Sequence, residues 1–213
     1  VELDAAFEVL SDAEHDRVTA TYAPLAEAVR DLIDATVRTQ ADDDVIARAR
    51  TAVEAVTRSL RSQRIRPSGI SYRVDGRPVP LGNAAVGQCN PISPPLVVHH
   101  DPDARDGRCW SEFVLGAAYE GPPGLAHGGV CALVLDHLLG EAASQGLTQP
   151  LFTGTITVKY LRGTPLGPLR SEAWIDRTEG VKAFARGFIS DDAGVTVEAE
   201  GIFIKPAWAR EAE

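Results

Sequence analysis

Tyr119-Glu120-Gly121-Pro122-Pro123-Gly124-Leu125-Ala126-His127-Gly128-Gly129, running straight into the apolar residues 130–135 and then Asp136, decides how this chain is read. The Gly-Pro-Pro-Gly at 121–124 makes a rigid turn. Two glycines follow where a helical pattern begins, which puts them at a helix N-terminus. A helix start bare of side chains presents free backbone N–H groups and a partial positive charge, which suits a developing oxyanion. Asp136 is the carboxylate that directly follows this apolar run and supplies a base or nucleophile. Together these features point to acyl-transfer chemistry.

Outward from this segment the pattern turns to strands. Residues 110–119 have β-type content, and residues 128–144 read as the helix. Residues 153–162 alternate, with Ile156, Val158 and Tyr160 on one side and Thr155, Thr157 and Lys159 on the other. Residues 169–176, 181–190 and 195–204 alternate in the same way, with turns at Thr178-Glu179-Gly180 and Asp191-Asp192-Ala193-Gly194. One central helix followed by four long antiparallel strands defines an α+β fold whose sheet wraps its helix.

The first third is helical in pattern. Ser11-Asp12-Ala13-Glu14 fits a capping box, and Leu25, Val29, Leu32, Ile33 and Val37 recur at helical spacing. Pro24 is expected to kink or split this helix. Asp42, Asp43 and Asp44 offer a cap for a second helix, expected to bury Val45, Ile46, Ala49, Val53, Val56 and Leu60. These helices have no place in the acyl-transfer pattern. Their apolar stripes are expected to pack on the sheet, on each other or on a partner subunit, so as to cover the outer face of the sheet or cap an acyl tunnel. From about residue 66 to 96 the text becomes rich in Pro and Gly, which reads as a long connection over the surface of the next domain. The division is therefore a helical extension (1–66), a connection (67–94) and an α+β domain (95–208).

Composition narrows the partners. A net charge of −9 excludes a general nucleic-acid binder. No apolar run approaches the roughly 18 residues of a membrane span. The acidic start, Val1-Glu2-Leu3-Asp4, lacks the basic region of a secretory leader. Cys89, Cys109 and Cys131 are an odd number at wide spacing, which fits a reduced, cytoplasmic setting and no metal or redox cofactor. Cys131 reads as a core residue. His99-His100-Asp101 reads as a solvated strand end.

In Glu120-Gly121-Pro122-Pro123-Gly124, His127-Gly128-Gly129, Asp136, Thr153 and the strand Val158-Lys159-Tyr160-Leu161-Arg162, the chain resembles the hotdog-fold thioesterases. The similarity is to the phenylacetate-degradation type and to thioesterase superfamily members 4 and 5, and covers roughly residues 95 to 206. It implies a hotdog fold and an acyl-CoA thioesterase of fatty acid metabolism. It also implies that Asp136 is general base or nucleophile and that the Gly128 and Gly129 amides polarise the carbonyl. His127 would orient that end of the site, and Thr153 would position water or the carboxylate. One departure from the family pattern is Gly163 where a proline usually follows Tyr-x-Arg. A one-residue loop difference would hand the polar role of Thr153 to Thr155.

Spacing adds a geometric constraint. Nine residues from His127 to Asp136 rotate by about 900° and rise about 13.5 Å, so the two ends cannot act on one carbonyl within one chain. If both act, the second comes from another copy. The resemblance supplies such an arrangement: a homodimer, or a dimer of dimers, with two sites at the interface. Lys159, Arg162, Arg170 and Lys182 are candidate cations for the coenzyme A phosphates. A hotdog hydratase or dehydratase is disfavoured, because its usual Asp-x-x-x-x-His helix motif is absent. A non-catalytic acyl-CoA-binding module is the third reading.

Overall fold

The computed structural model describes residues 8–62, 72–74, 77–94 and 96–210. At its centre is helix α3 (Gly128–Ala143), whose Leu135, Leu138 and Leu139 are fully buried, with Val134, Cys131 and Ala142 beside them. A helix apolar on nearly every side must be enclosed, and one curled antiparallel sheet encloses it. Its strands are β4 (His99–His100), β5 (Cys109–Leu115), β6 (Phe152–Tyr160), β7 (Gly167–Glu179), β8 (Lys182–Asp191) and β9 (Gly194–Ile204). They lie in the order β4-β5-β7-β8-β9-β6. This is the hotdog architecture expected from the sequence.

Period-two alternation builds the inner face: Leu169 and Ala173 on β7, Ala183, Ala185 and Ile189 on β8, Val197, Ala199 and Phe203 on β9. Small residues let the strands close in. A Cβ on Gly187 would lie 2.6 Å from the Glu172 carbonyl oxygen of the neighbouring strand. The hairpins turn where expected, with Gly180 at φ +57 and Gly194 at φ +116.

The N-terminal region departs from expectation in four ways. Helix α1 (Asp12–Arg38) starts at the Ser11–Glu14 capping box but runs unbroken through Pro24. Pro24 is exposed, so the carbonyl it leaves without an amide partner can be met by water. Second, α1 packs on the connection and not on the sheet's outer face. Its Val18 is buried against Leu81, with Leu10, Val79 and Cys89 around them, and Arg30 Nη2 donates to the Asn90 carbonyl at 3.4 Å. The outer face covers itself instead: arginines lie over aromatic rings, Arg108 on Trp174 at 5.2 Å, Arg170 on Trp110 at 5.8 Å and Arg177 on Phe184 at 3.7 Å.

Third, the connection carries structure of its own. A three-stranded sheet joins β1 (Glu8–Val9), β2 (Tyr72–Val74) and β3 (Arg77–Val79), with β1 parallel to β2. Of the Pro/Gly-rich stretches in the connection, Arg66-Pro67-Ser68-Gly69 and Asp75-Gly76 lie outside the described residues. Fourth, helix α2 (Asp43–Arg61) buries none of its residues. Val45, Ile46, Val53, Val56 and Leu60 are each 41–55% exposed. Periodicity identified the helix and its apolar face correctly, but periodicity says nothing of what that face meets.

Because Gly187 faces backbone rather than a movable side chain, Gly187→Ala is expected to destabilise the domain by about 1–3 kcal/mol. Urea unfolding of the two proteins checks this, and an unchanged midpoint would mean that the β7–β8 spacing is not limiting.

Candidate active site

The turn before α3 is fixed by its own polar groups. The Gly124 amide donates to Glu120 Oε1 at 2.6 Å, the Gly121 amide to the Leu125 carbonyl at 2.9 Å, and the His127 amide to the Tyr119 carbonyl at 2.8 Å. Gly124 sits at φ +75, which a glycine adopts without strain. A Cβ on Gly121 would lie 2.9 Å from His127 Cα, so this turn closes directly on the residue that begins the helix. The base of the turn is held from both sides, since Ala126 N–H donates to the Thr164 carbonyl at 2.9 Å.

His127 is the N-cap of α3, and its Nδ1 accepts the Gly129 N–H at 3.0 Å. Cap acceptance by a histidine ring fixes the tautomer, leaving the proton on Nε2. It also sorts the two glycine amides. Gly129 is engaged, whereas among the described residues no acceptor meets the Gly128 N–H. Tyr160, on the facing strand β6, donates from its hydroxyl to the Gly128 carbonyl at 2.8 Å, and its ring lies 3.2 Å from where a Gly128 Cβ would be. No sequence signal named Tyr160; only the β6–α3 packing assigns it.

The other end of the helix face carries Asp136. Thr153 Oγ1 donates to Asp136 Oδ1 at 3.0 Å. The choice between Thr153 and Thr155 is decided by the register of β6 on β9. Thr153 lies opposite the inward-facing Phe203, the ladder shifts between Thr153 and Thr155, and Thr155 lies opposite Ile202 on the other face. Asp136 and Thr153 therefore meet, and His127, Gly128 and Gly129 meet at the opposite end. Both ends open to solvent along β6, an edge strand of the sheet: Thr153, Gly129 and Tyr160 are exposed.

The four candidate phosphate cations are not gathered. Arg162 forms a two-pronged ion pair with Asp191 and donates to the Gly194 carbonyl at 2.8 Å. Arg170 bonds Glu112 at 3.1 Å and Glu172 at 3.3 Å. Arg170 answers Glu112 across the ladder on β5 and Glu172 on its own strand, while Arg162, just past β6, answers Asp191 at the end of β8. Lys159 and Lys182 are exposed and, among the described residues, make no ion pair. They lie at opposite ends of the sheet, Lys159 beside Tyr160 and Lys182 opposite Ile204.

His100 also departs from the reading of a solvated strand end. Its Nε2 lies 3.5 Å from Glu141 Oε2, and His137 Nε2 lies 3.3 Å from Glu141 Oε1. Glu141 is only 7% exposed. Burial alone would raise its carboxyl, but the close His100 and His137 rings overcome that and hold it at about 2. The cluster ties the C-terminal turn of α3 to the β4 edge. Among the described residues no group of His, Cys, Asp and Glu can hold a metal ion. Cys109 and Cys131 are buried and free, and burial raises both thiols, Cys109 to about 12, so neither is a ready nucleophile.

A hotdog sheet around a helix that starts with a capped Gly-Gly and carries one Thr-bonded carboxylate defines a class, and comparison with known proteins agrees. The thioesterase superfamily model matches residues 123–207. Over 96 residues the chain is 35% identical to acyl-coenzyme A thioesterase THEM4 of Xenopus laevis, covering 44% of this chain and 43% of that protein. The chain thus spans less than half the length of this curated relative. The crystal structure of a thioesterase superfamily protein superposes with a TM-score of 0.75 at 27% identity, covering 86% of this chain and 90% of that one. Over residues 123–207 this chain is similar to the thioesterase superfamily, and its fold follows that of a solved thioesterase superfamily protein. No described helix is long and apolar enough to cross a membrane.

Glu141 is depressed in the folded state, so its contribution to stability is present above the unfolded value of 4.5 and is lost as pH falls towards about 2. Urea stability of the parent is expected to fall across that window more steeply than that of Glu141→Gln. Equal slopes would show that the cluster contributes nothing there.

Proposed function

We propose that this chain is an acyl-CoA thioesterase, working as a cytoplasmic homodimer or a dimer of dimers, whose active site is assembled from two copies. The observation that carries this reading is the division of one helix face: the free Gly128 amide at its start and the Asp136–Thr153 pair eight residues on. These are separated along the axis by about 12 Å, too far to serve one carbonyl. Two copies related by a two-fold axis, with their α3 helices antiparallel, bring the N-terminus of one to the carboxylate of the other. The exposed helix-facing side of β6 supports this, since Thr153 and Tyr160 are open where a second copy would sit.

In this site the thioester oxygen accepts the Gly128 N–H, aided by the positive end of the helix. His127 holds the first turn through Gly129, and Tyr160 fixes the Gly128 carbonyl, so that the amide is aimed before substrate arrives. Thr153 occupies Oδ1 of Asp136, which leaves Oδ2 for water. Asp136 takes a proton from that water as its oxygen attacks the carbonyl carbon. The tetrahedral oxyanion then collapses, the C–S bond breaks, and the thiolate of coenzyme A leaves and takes up a proton. Direct attack by Asp136 gives an anhydride that water opens to the same acid and thiol. Lys159, beside Tyr160 and free of ion pairs among the described residues, is the cation best set to meet a coenzyme A phosphate.

Asp136→Asn is expected to lower kcat for thiol release by about 10²–10⁴-fold, with acyl-CoA binding retained. Thr153→Val is expected to lower kcat less, since it frees a carboxylate without removing it. Mixing Asp136→Asn chains with Gly128→Pro chains should restore up to one intact site per mixed dimer, as proline is tolerated at the first helical position but carries no amide. Near-parental turnover by folded Asp136→Asn protein would remove this residue from the mechanism. Failure of mixed chains to recover activity would remove the shared site.

A further inference from the structure

Helix α2 (Asp43–Arg61) is well formed yet buries nothing in its own chain. Helices in proteins draw most of their stability from packing an apolar face, and α2 packs none within its own chain. Ile46, Ala49, Val53, Val56 and Leu60 follow one another at spacings of three, four, three and four residues. That is the narrow seam of a coiled coil rather than the wider stripe of a helix lying on a sheet. Its large members are 41–55% exposed, half-open side chains in a row.

Charge says what the seam fits. Asp42, Asp43 and Asp44 lie at the N-terminal end and Arg58 and Arg61 at the C-terminal end. Among the described residues none of these five makes an ion pair. Two α2 helices side by side in parallel would set aspartates against aspartates and arginines against arginines. In antiparallel order, with a two-fold axis near residues 51–53, each acidic end meets the basic end of the other copy. We propose that α2 pairs antiparallel with α2 of a second copy of this chain through the seam Ile46-Ala49-Val53-Val56-Leu60. The contact is isologous and separate from the hotdog face used in the proposed active site, and it does not depend on the acyl-CoA reading. The same end charges complement the dipole of a single helix, so the test must separate the two effects.

The full chain carrying Val53→Cys, near the axis, is oxidised with copper phenanthroline, with the parent and its native cysteines as background. Most of the Val53→Cys protein should become a covalent dimer, while Leu60→Cys, far from the axis, should stay at background. A parallel pair would trap both. Adding Asp42→Lys, Asp43→Lys and Asp44→Lys should cut the Val53→Cys trapping rate by about tenfold, the combined effect of several exposed pairs. Adding Arg58→Glu and Arg61→Glu to that same protein should restore the rate, because each end again meets its opposite. If the charges served only the dipole, the fully swapped helix would be the worst of the set. Far-UV circular dichroism follows helix content throughout. Trapping of Val53→Cys at the parental background, or loss of trapping without rescue in the fully swapped chain, overturns the proposal.

Discussion

Enclosure of α3 is the constraint on which the rest of the structure depends. A helix with Cys131, Val134, Leu135, Leu138, Leu139 and Ala142 buried on successive sides has only a narrow face to offer water. The sheet must therefore bend around it, and bending requires small residues on the concave side: Ala173, Ala183, Ala185, Gly187 and Ala199. Once the helix is held, its two ends and its one open side are the only places where polar chemistry can reach it. The capped glycines occupy one end, the Glu141 cluster the other, and Asp136 with Thr153 the open side. The site is what remains of the helix surface after the core has taken the rest.

Legibility in the sequence followed the range of the forces involved. The capping box at Ser11, the start of α3 at Gly128, the hairpin turns and the inward set of β6 were all readable, because each depends on residues a few positions apart. The Asp136–Thr153 contact was readable only through family resemblance, since seventeen residues and a ladder shift lie between the two. Tyr160 on Gly128, the arginine–carboxylate pairs across strands and the Glu141 cluster were not readable. Each joins residues whose proximity exists only after the sheet has its register. What the apolar stripe of α2 packs against was not readable for a different reason: burial belongs to a pair of surfaces, and one sequence displays only one of them.

The connection between α1 and the hotdog domain is better described as an intermediate layer than as a strap. On one side Leu81 packs with Val18 and the Asn90 carbonyl meets Arg30. On the other side the Ser93 carbonyl accepts the Tyr119 hydroxyl at 2.8 Å, and the Ser93 hydroxyl is itself bonded to Gly87 at 2.7 Å. The Pro/Gly-rich text is thus a run of tight turns satisfied by its own Asn and Ser side chains, and not a loose crossing.

Tyr119 stands between that layer and the helix start, because its carbonyl receives the His127 amide while its hydroxyl is anchored at Ser93. The first turn of α3 is therefore sprung from a post whose footing, Ser93, lies in the connection that α1 packs against. If α1 is loosened, the footing moves first, then the ring of Tyr119, then the angle at which the helix opens. The path from α1 to the Gly128 N–H therefore runs through Tyr119 and bypasses the buried contacts between α3 and the sheet.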